Sequence, residues 1–269
     1  MRAGRTRSTI VLLRSVYATL YISVATIWDV LRGTYRREIG DARLRWWSRR
    51  LLELIDLRCR VVNPRDVRLE RGRATILMSN HSSVYDIPLI FVALPGSIRM
   101  LTKKELFNVP VWGRGLRVGE FVSIDRSNRE QAIHDLAAAR EKMESGIVLW
   151  VAPEGTRSRD GRLGPFKKGA FMLALETGAT IIPIGIRGAH DVLPPKTFNG
   201  VALRGTAEVH IGEPIDASRY TLETRDRLMA EVERQILVLA NIERSEPDPP
   251  PPRGDHSSIG TGGMDGVRA

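Results

Sequence analysis

Two polar clusters in the 269-residue chain have the residue types and spacing to do chemistry. The first is Asn80-His81-Ser82-Ser83-Val84-Tyr85-Asp86, directly behind the apolar run 74–79. A histidine followed five residues later by an aspartate, at a turn from strand to helix, can fold back into a hydrogen-bonded pair. The carboxylate then keeps one ring nitrogen protonated and leaves the other to take a proton from an alcohol. The plainer alternative is that His81 only caps the following helix, and for an isolated His and Asp that alternative wins most of the time. The second cluster is Pro153-Glu154-Gly155-Thr156-Arg157-Ser158, again behind an apolar run, 147–152. A glycine that admits close backbone approach, a hydroxyl and an arginine fork make a phosphate clamp. Alone, the same letters also describe a turn with a surface ion pair. The clusters lie 73 residues apart, and together they are far more specific than either one.

Other chemistries lack their residues. There is no G-x-S-x-G elbow, no H-E-x-x-H, no P-loop and no dinucleotide fingerprint behind a strand. The single cysteine, Cys59, excludes an internal disulfide framework and a Cys-rich zinc site. No His, Asp and Glu set has metal spacing, so neither a bound metal nor a cofactor is expected. His134 and His210 read as surface or strand positions rather than ligands.

Positioning the two clusters requires a sheet. Short β-branched runs at 74–79, 98–102, 120–124, 147–152, 180–186 and 207–211 alternate with helical stretches at 87–93, 129–144, 167–177 and 222–240. The pattern predicts an α/β fold: a mixed, largely parallel sheet flanked by helices, with both clusters at strand ends, where open sheets build their sites. The near-continuous apolar run at 180–186 predicts a strand covered on both faces. An apolar share of 42% and a charged share of 27% fit a folded chain, and exclude a disordered chain or a polytopic membrane protein.

The first 60 residues differ from the rest, with 13 Arg, no Lys and five acids, a net +8 within a chain total of +10. Ser8 to Leu31 is strongly apolar, but Arg14 and Asp29 leave only 14 residues free of charge, a length that suits an interfacial segment better than a span. Around Trp46 and Trp47, Leu44, Leu51, Leu52, Leu54 and Ile55 alternate with Arg43, Arg45, Arg49 and Arg50 as a second amphipathic helix. Tryptophans suit the headgroup zone and arginines suit lipid phosphates, so a bilayer is the expected partner. Two blander readings compete: a signal peptide cleaved near Ser23-Val24-Ala25, and a helix pair packed on the core with no lipid. Nucleic acid is not expected, because no binding motif accompanies the arginines. The chain thus divides into membrane-associating helices at 1–60, a catalytic domain at 61–243 and a disordered tail at 244–269, rich in proline and then in glycine and serine.

On these motifs the chain resembles the 1-acylglycerol-3-phosphate O-acyltransferase family. Asn80-His81 to Asp86 is similar to that family's N-H-x4-D motif, and Glu154 to Ser158 matches its E-G-T-R-S motif letter for letter. Lys103-Lys104-Glu105-Leu106 with Pro110 and Gly113 resembles its K-E-L segment; Ile124-Asp125-Arg126 and Ile182-Pro183-Ile184 match two further blocks. Ser123 departs from the Phe or Pro that many members carry three residues before that arginine. The resemblance covers residues 70–215, and the N-terminal helix pair is also like that of bacterial members.

The resemblance implies that His81 is the general base for a glycerol hydroxyl and that Asp86 orients it. It implies that Lys104, Arg126 and Arg157 hold the acceptor phosphate, with Thr156 in the same clamp. Glu154 would fix the clamp or a glycerol hydroxyl, and Gly155 and neighbouring N–H groups would serve the oxyanion. Acyl-CoA or acyl carrier protein would be co-substrate, a lysophospholipid the acceptor, and the cytoplasmic face of the cell membrane the location. Lys167-Lys168-Gly169 reads as a helix start, with contact to donor phosphates as the lesser alternative. Rival readings are the same chemistry on another lysophospholipid or a glycolipid, and a non-catalytic lipid-binding protein.

Overall fold

The computed structural model describes residues 2–70, 72–124, 129–193 and 201–245. Eight strands form one sheet: β1 (Arg58–Val62), β2 (Thr75–Ser79), β3 (Ile98–Lys103), β4 (Val122–Ile124), β5 (Val148–Val151), β6 (Thr180–Arg187), β7 (Thr206–Ile211) and β8 (Ile215–Asp216). Their order is β1-β7-β6-β2-β5-β3-β4, with β8 also beside β6. All pairings are parallel except those of β6 with β7 and β8. This is the mixed, largely parallel sheet that the alternating pattern predicts.

The helices are α1 (Arg5–Leu31), α2 (Arg37–Leu54), α3 (Asp86–Ala93), α4 (Trp112–Val118), α5 (Arg129–Glu144), α6 (Gly169–Thr177), α7 (Ala189–Val192) and α8 (Arg225–Ala240). Side-chain alternation in the central strands feeds two cores. Leu77, Trp150, Ile182 and Ile184 pack with Leu52 of α2 and Leu89 and Ile90 of α3. Ile76, Met78, Leu149 and Ile181 pack on the other face with Ala139 of α5, Phe171 of α6 and Val232 of α8. A two-sided core is why these strands read as continuous apolar runs.

Two residues in β6 are explained by its neighbours. Pro183 cannot donate to a ladder, yet it sits between the stretch paired with β8 (180–181) and that paired with β7 (184–187). Its carbonyl accepts from Gly212 N–H at 2.8 Å, so the missing N–H faces the gap between those two strands. Gly185 lies under α8, where an added Cβ would come 2.2 Å from the Ala240 nitrogen.

Besides the short β8 and α7, three parts of the chain depart from the expected pattern. β1 runs through the expected 60/61 boundary, so the sheet begins at Arg58; Arg58, Arg60 and Val61 are exposed on this edge strand, which therefore lacks an apolar signature. α4 carries Gly113 and Gly115, which obscure a helical reading. At the other end, Arg244 and Ser245 belong to the folded body: Leu163 N–H donates to Glu243 O and Ser245 N–H to Leu163 O, both at 2.8 Å. Residues 246–269 lie outside the described residues.

Among the described residues, α1 is the one helix long and apolar enough, by length and composition, to cross a membrane. Its small and polar residues Ser8, Ala18, Ser23 and Thr26 face the protein, while Leu13, Tyr17, Val24, Trp28 and Leu31 are exposed. Ser15, Thr19 and Ser23 return their hydroxyls to the carbonyls four residues back, at 2.8–2.9 Å. Trp47 of α2 donates to Thr19 Oγ1 at 3.0 Å, and Arg43 reaches Asp29 at 2.6 Å. The helix pair is tied to the body through Arg99 of β3, which is fully buried. Its Nη1 donates to Asp41 Oδ1 of α2 at 2.7 Å and its Nε to Gly119 O at 2.6 Å. Arg37 forks onto Glu120 at 2.7 and 2.8 Å and holds that carboxyl below its usual range, against the effect of burial.

Candidate active site

Strand register brings the polar clusters together. Met78 of β2 is paired with Val151 of β5, and Met100 of β3 with Trp150. Counting on, Asn80 and His81 leave the sheet beside Pro153 and Glu154, and Lys104 leaves on the same edge. Asn80 extends the sheet by side chain: its Nδ2 donates to Ile186 O at 2.9 Å and its Oδ1 accepts from Ile186 N–H at 2.8 Å. The chain behind it is thereby fixed at its root.

His81 Nδ1 and Asp86 Oδ2 are 2.7 Å apart. Asp86 is fully buried at the first turn of α3, and the same Oδ2 accepts from the N–H groups of Ser82 (2.7 Å) and Ser83 (2.8 Å). An oxygen already receiving two N–H groups is held as an acceptor, so Nδ1 carries the proton and the Nε2 lone pair is left for chemistry. Helix capping does not account for this arrangement, because the side chain that reaches back onto backbone N–H groups is Asp86, and His81 is its guest. Trp150 sets the ring from the side: its ring plane lies at 84° to that of His81, 5.8 Å between centroids, with Nε1 donating to Ser79 Oγ at 2.9 Å.

Two backbone ties join this loop to the second cluster. His81 N–H donates to Glu154 Oε1 at 2.8 Å, and Ser158 N–H donates to His81 O at 2.7 Å. The other oxygen of Glu154 accepts from Gly164 N–H at 2.9 Å. Glu154, 5% exposed, therefore staples three segments through backbone. Burial pushes its carboxyl up to about 7, despite the two N–H groups that favour the ionised form. Gly155 follows with φ 74°, a turn that disfavours a side chain. Its N–H donates to Ala152 O at 3.0 Å, which corrects the expectation that this group serves an oxyanion.

Arg157 lies one residue before the Ser158 tie, half-buried, with no hydrogen bond or ion pair to a described residue. Thr156 is exposed beside it, and Lys104 is exposed at the start of the 3-10 turn Lys104–Asn108. Arg126 lies outside the described residues. Thus His81, Asp86, Glu154 and Gly155 form one bonded unit carrying Thr156 and Arg157, with Lys104 on the same sheet edge. The sequence reading missed the ring contact of Trp150, the root bonds of Asn80 and the Gly164 end of the staple. Only Asn80 had a signal, as the first letter of its motif. Among the described residues, no group of three or more His, Cys, Asp or Glu could hold a metal ion.

Beside the loop that carries His81 an apolar cavity of about 570 Å³ runs between α1, α2 and the body. Val84 and Tyr85 line it at the loop, Ile22, Trp47 and Phe91 along its length, and Arg99 at the far end.

A sequence model described as acyltransferase matches residues 58–187. A 1-acyl-sn-glycerol-3-phosphate acyltransferase of Haemophilus influenzae is 31% identical over 199 residues, 74% of this chain and 80% of that one. A chloroplastic 1-acyl-sn-glycerol-3-phosphate acyltransferase of Brassica napus is 34% identical over 156 residues, and the chain spans only 45% of its length. The crystal structure of the 1-acyl-sn-glycerophosphate acyltransferase PlsC from Thermotoga maritima superposes with a TM-score of 0.69 at 26% identity, over 89% of this chain and 100% of that one.

Proposed function

We propose a reaction for this chain, which belongs to the 1-acylglycerol-3-phosphate O-acyltransferase family: transfer of a fatty acyl group from acyl-CoA or acyl carrier protein to the free hydroxyl of a 1-acylglycerol-3-phosphate, giving phosphatidic acid. The single observation that carries it is the His81–Asp86 pair with Nδ1 engaged at 2.7 Å, bonded through Glu154 and Ser158 to the arginine-bearing loop. A lipid-binding protein has no use for an oriented base.

His81 Nε2 takes the acceptor hydroxyl proton as its oxygen attacks the thioester carbon. Asp86 stabilises the imidazolium so formed. When the tetrahedral intermediate collapses, the C–S bond breaks and the thiolate recovers the proton from His81, restoring the neutral ring. No protein nucleophile is required, because a thiolate leaves readily. Arg157, with Thr156 and Lys104, receives the acceptor phosphate, and the cavity beside Val84 and Tyr85 suits an acyl chain. The outward apolar face of α1 supports seating on the bilayer, at the cytoplasmic face of the cell membrane where thioesters are available.

The test offers the purified chain, in mixed micelles, lysophosphatidic acid with labelled acyl-CoA or acyl carrier protein. His81→Ala is expected to abolish transfer while micelle binding stays unchanged. Equal turnover on acceptors lacking a phosphomonoester, or full activity in His81→Ala, would refute the reading.

A further inference from the structure

The cavity between α1, α2 and the body is apolar, and several of the polar side chains that line it are engaged within the chain. Ser15, Thr19 and Ser23 return their hydroxyls to their own helix. Trp47 Nε1 donates to Thr19 Oγ1. At the far end, Tyr35 Oη and Arg99 Nη2 lack hydrogen-bond partners, but both atoms are sealed inside the packing, where no ligand reaches them.

Tyr85 differs. It lines the loop end of the cavity and is only 6% exposed, and its hydroxyl forms no hydrogen bond with a described residue. Unlike the two far-end groups, this hydroxyl is not sealed. Burial alone pushes the phenol up to about 12, so near neutral pH it keeps its proton and acts as a donor. Its backbone is held from both sides: Tyr85 N–H donates to Ser83 Oγ at 3.3 Å, and Tyr85 O accepts from Leu89 N–H at 3.2 Å. The next residue, Asp86, holds His81, so the turn that aims the base also sets the root of Tyr85. A buried donor without an acceptor is unfavourable, and an occupant of the cavity that brings an oxygen to this point relieves it.

The chemistry of the acceptor indicates which oxygen. A 1-acylglycerol-3-phosphate presents a phosphate, a free hydroxyl, an ester and an alkyl chain. Arg157 and its neighbours receive the phosphate, and His81 receives the hydroxyl. The chain suits the apolar cavity, and the ester lies between glycerol and chain, which puts it at the end of the cavity beside the His81 loop. Tyr85 stands there. The cavity is walled by α1, whose outward face is apolar and exposed. A chain that fills it comes from the lipid side, with the acceptor, whereas CoA or an acyl carrier protein comes from water.

We propose that the Tyr85 hydroxyl donates to the carbonyl of the ester already present on the acceptor. Tyr85 is then a specificity-determining residue that favours ester-linked over ether-linked lysophospholipids. This rests on the transferase reading above and adds to it a group that reads the acceptor's first acyl bond.

The test compares wild type with Tyr85→Phe, which removes one oxygen and keeps the ring. The acceptors are lysophosphatidic acid and a 1-O-alkyl-glycerol-3-phosphate of equal chain length, in which CH2 replaces the ester carbonyl. In wild type, KM should be about tenfold lower for the ester. In Tyr85→Phe that ratio should collapse to about one through a rise in KM for the ester, with KM for the donor and the pH profile of kcat as in wild type. Equal rises for both acceptors would mark a merely structural role, and a fall in kcat with both would mark a donor to the thioester oxygen. Either result, or a ratio that is the same in both proteins, overturns the proposal. Equilibrium binding of the two acceptors to the full chain in micelles gives an answer that needs no turnover: wild type should bind the ester about tenfold more tightly, and Tyr85→Phe should bind the two alike. If wild type transfers to neither acceptor, the reaction is wrong, yet this binding still decides Tyr85: equal affinities in wild type, or no binding of either lipid, overturn its role.

Discussion

Glu154 offers a direct measure of how the site is held, through Glu154→Gln. The carboxylate accepts two buried N–H groups, from His81 at 2.8 Å and Gly164 at 2.9 Å. Glutamine has one carbonyl oxygen, so its amide NH2 must face one of those donors. A buried N–H left without an acceptor costs about 1–3 kcal/mol. Whichever donor is abandoned, either His81 or the loop carrying Arg157 is released. A displacement of about 1 Å at a reacting group costs on the order of 100-fold in rate, so kcat should fall by about that factor. The pH dependence has an independent sign. Burial raises the Glu154 carboxyl to about 7 from 4.5, so the native chain holds this proton more tightly than the unfolded chain. The resulting stabilisation, roughly 3 kcal/mol at ~1.4 kcal/mol per pH unit, is fully present below pH 4.5 and is lost as the pH rises through 7. Glutamine does not titrate. Urea unfolding in detergent at pH 5 and pH 8 should therefore show a wild-type advantage at pH 5 that vanishes or reverses at pH 8. Parallel stability curves for the two proteins would refute the burial argument. A raised acceptor KM with unchanged kcat would place Glu154 on the substrate instead of in the staple.

Two further outcomes follow from other parts of the structure. In Asp86→Asn, an amide oxygen turned toward His81, Ser82 and Ser83 can still accept all three donors, and its NH2 occupies the place of Asp86 Oδ1, which has no partner. The NH2 left unpaired in that buried place should lower stability by about 1–3 kcal/mol in urea unfolding, while kcat falls about 10²- to 10⁴-fold for want of the charge that stabilises the imidazolium. In α1, Leu13, Tyr17 and Val24 are 63%, 70% and 55% exposed; replacing all three with Gln removes large apolar groups, each worth roughly 1.5–3 kcal/mol if fully buried in lipid. Vesicle co-sedimentation should fall at least tenfold with no change in the unfolding midpoint, and unchanged binding would mean that this face does not meet the bilayer.

The chain discloses its central strands and its chemistry more readily than it discloses what holds them. β2, β5 and β6 are legible because burial on both faces fills them mostly with apolar residues. His81, Asp86 and the Glu154–Ser158 run are legible because each motif is local in sequence. The ties between them are not, since they run from a side chain to a backbone N–H 73 residues away, and any residue at 81 supplies an N–H. Arg99 reads like a polar residue on a strand, yet it is fully buried, because its partners Asp41 and Gly119 come from α2 and the turn after α4. Nothing near position 99 announces either partner.

The division of labour follows from the two ends of the parallel strands. At their beginnings lie Arg99, the Arg37–Glu120 fork and the Arg37 contacts with Ser145, all of which attach the helix pair. At their ends lie His81, Glu154 and the loops joined to them. α1 crosses from one end to the other, and the cavity beneath it reaches from Arg99 to Val84 and Tyr85. Fixing His81 through Asn80, Asp86 and Glu154, each bonded to backbone outside α1 and α2, leaves the helix pair free to change in sequence without disturbing the geometry of the ring.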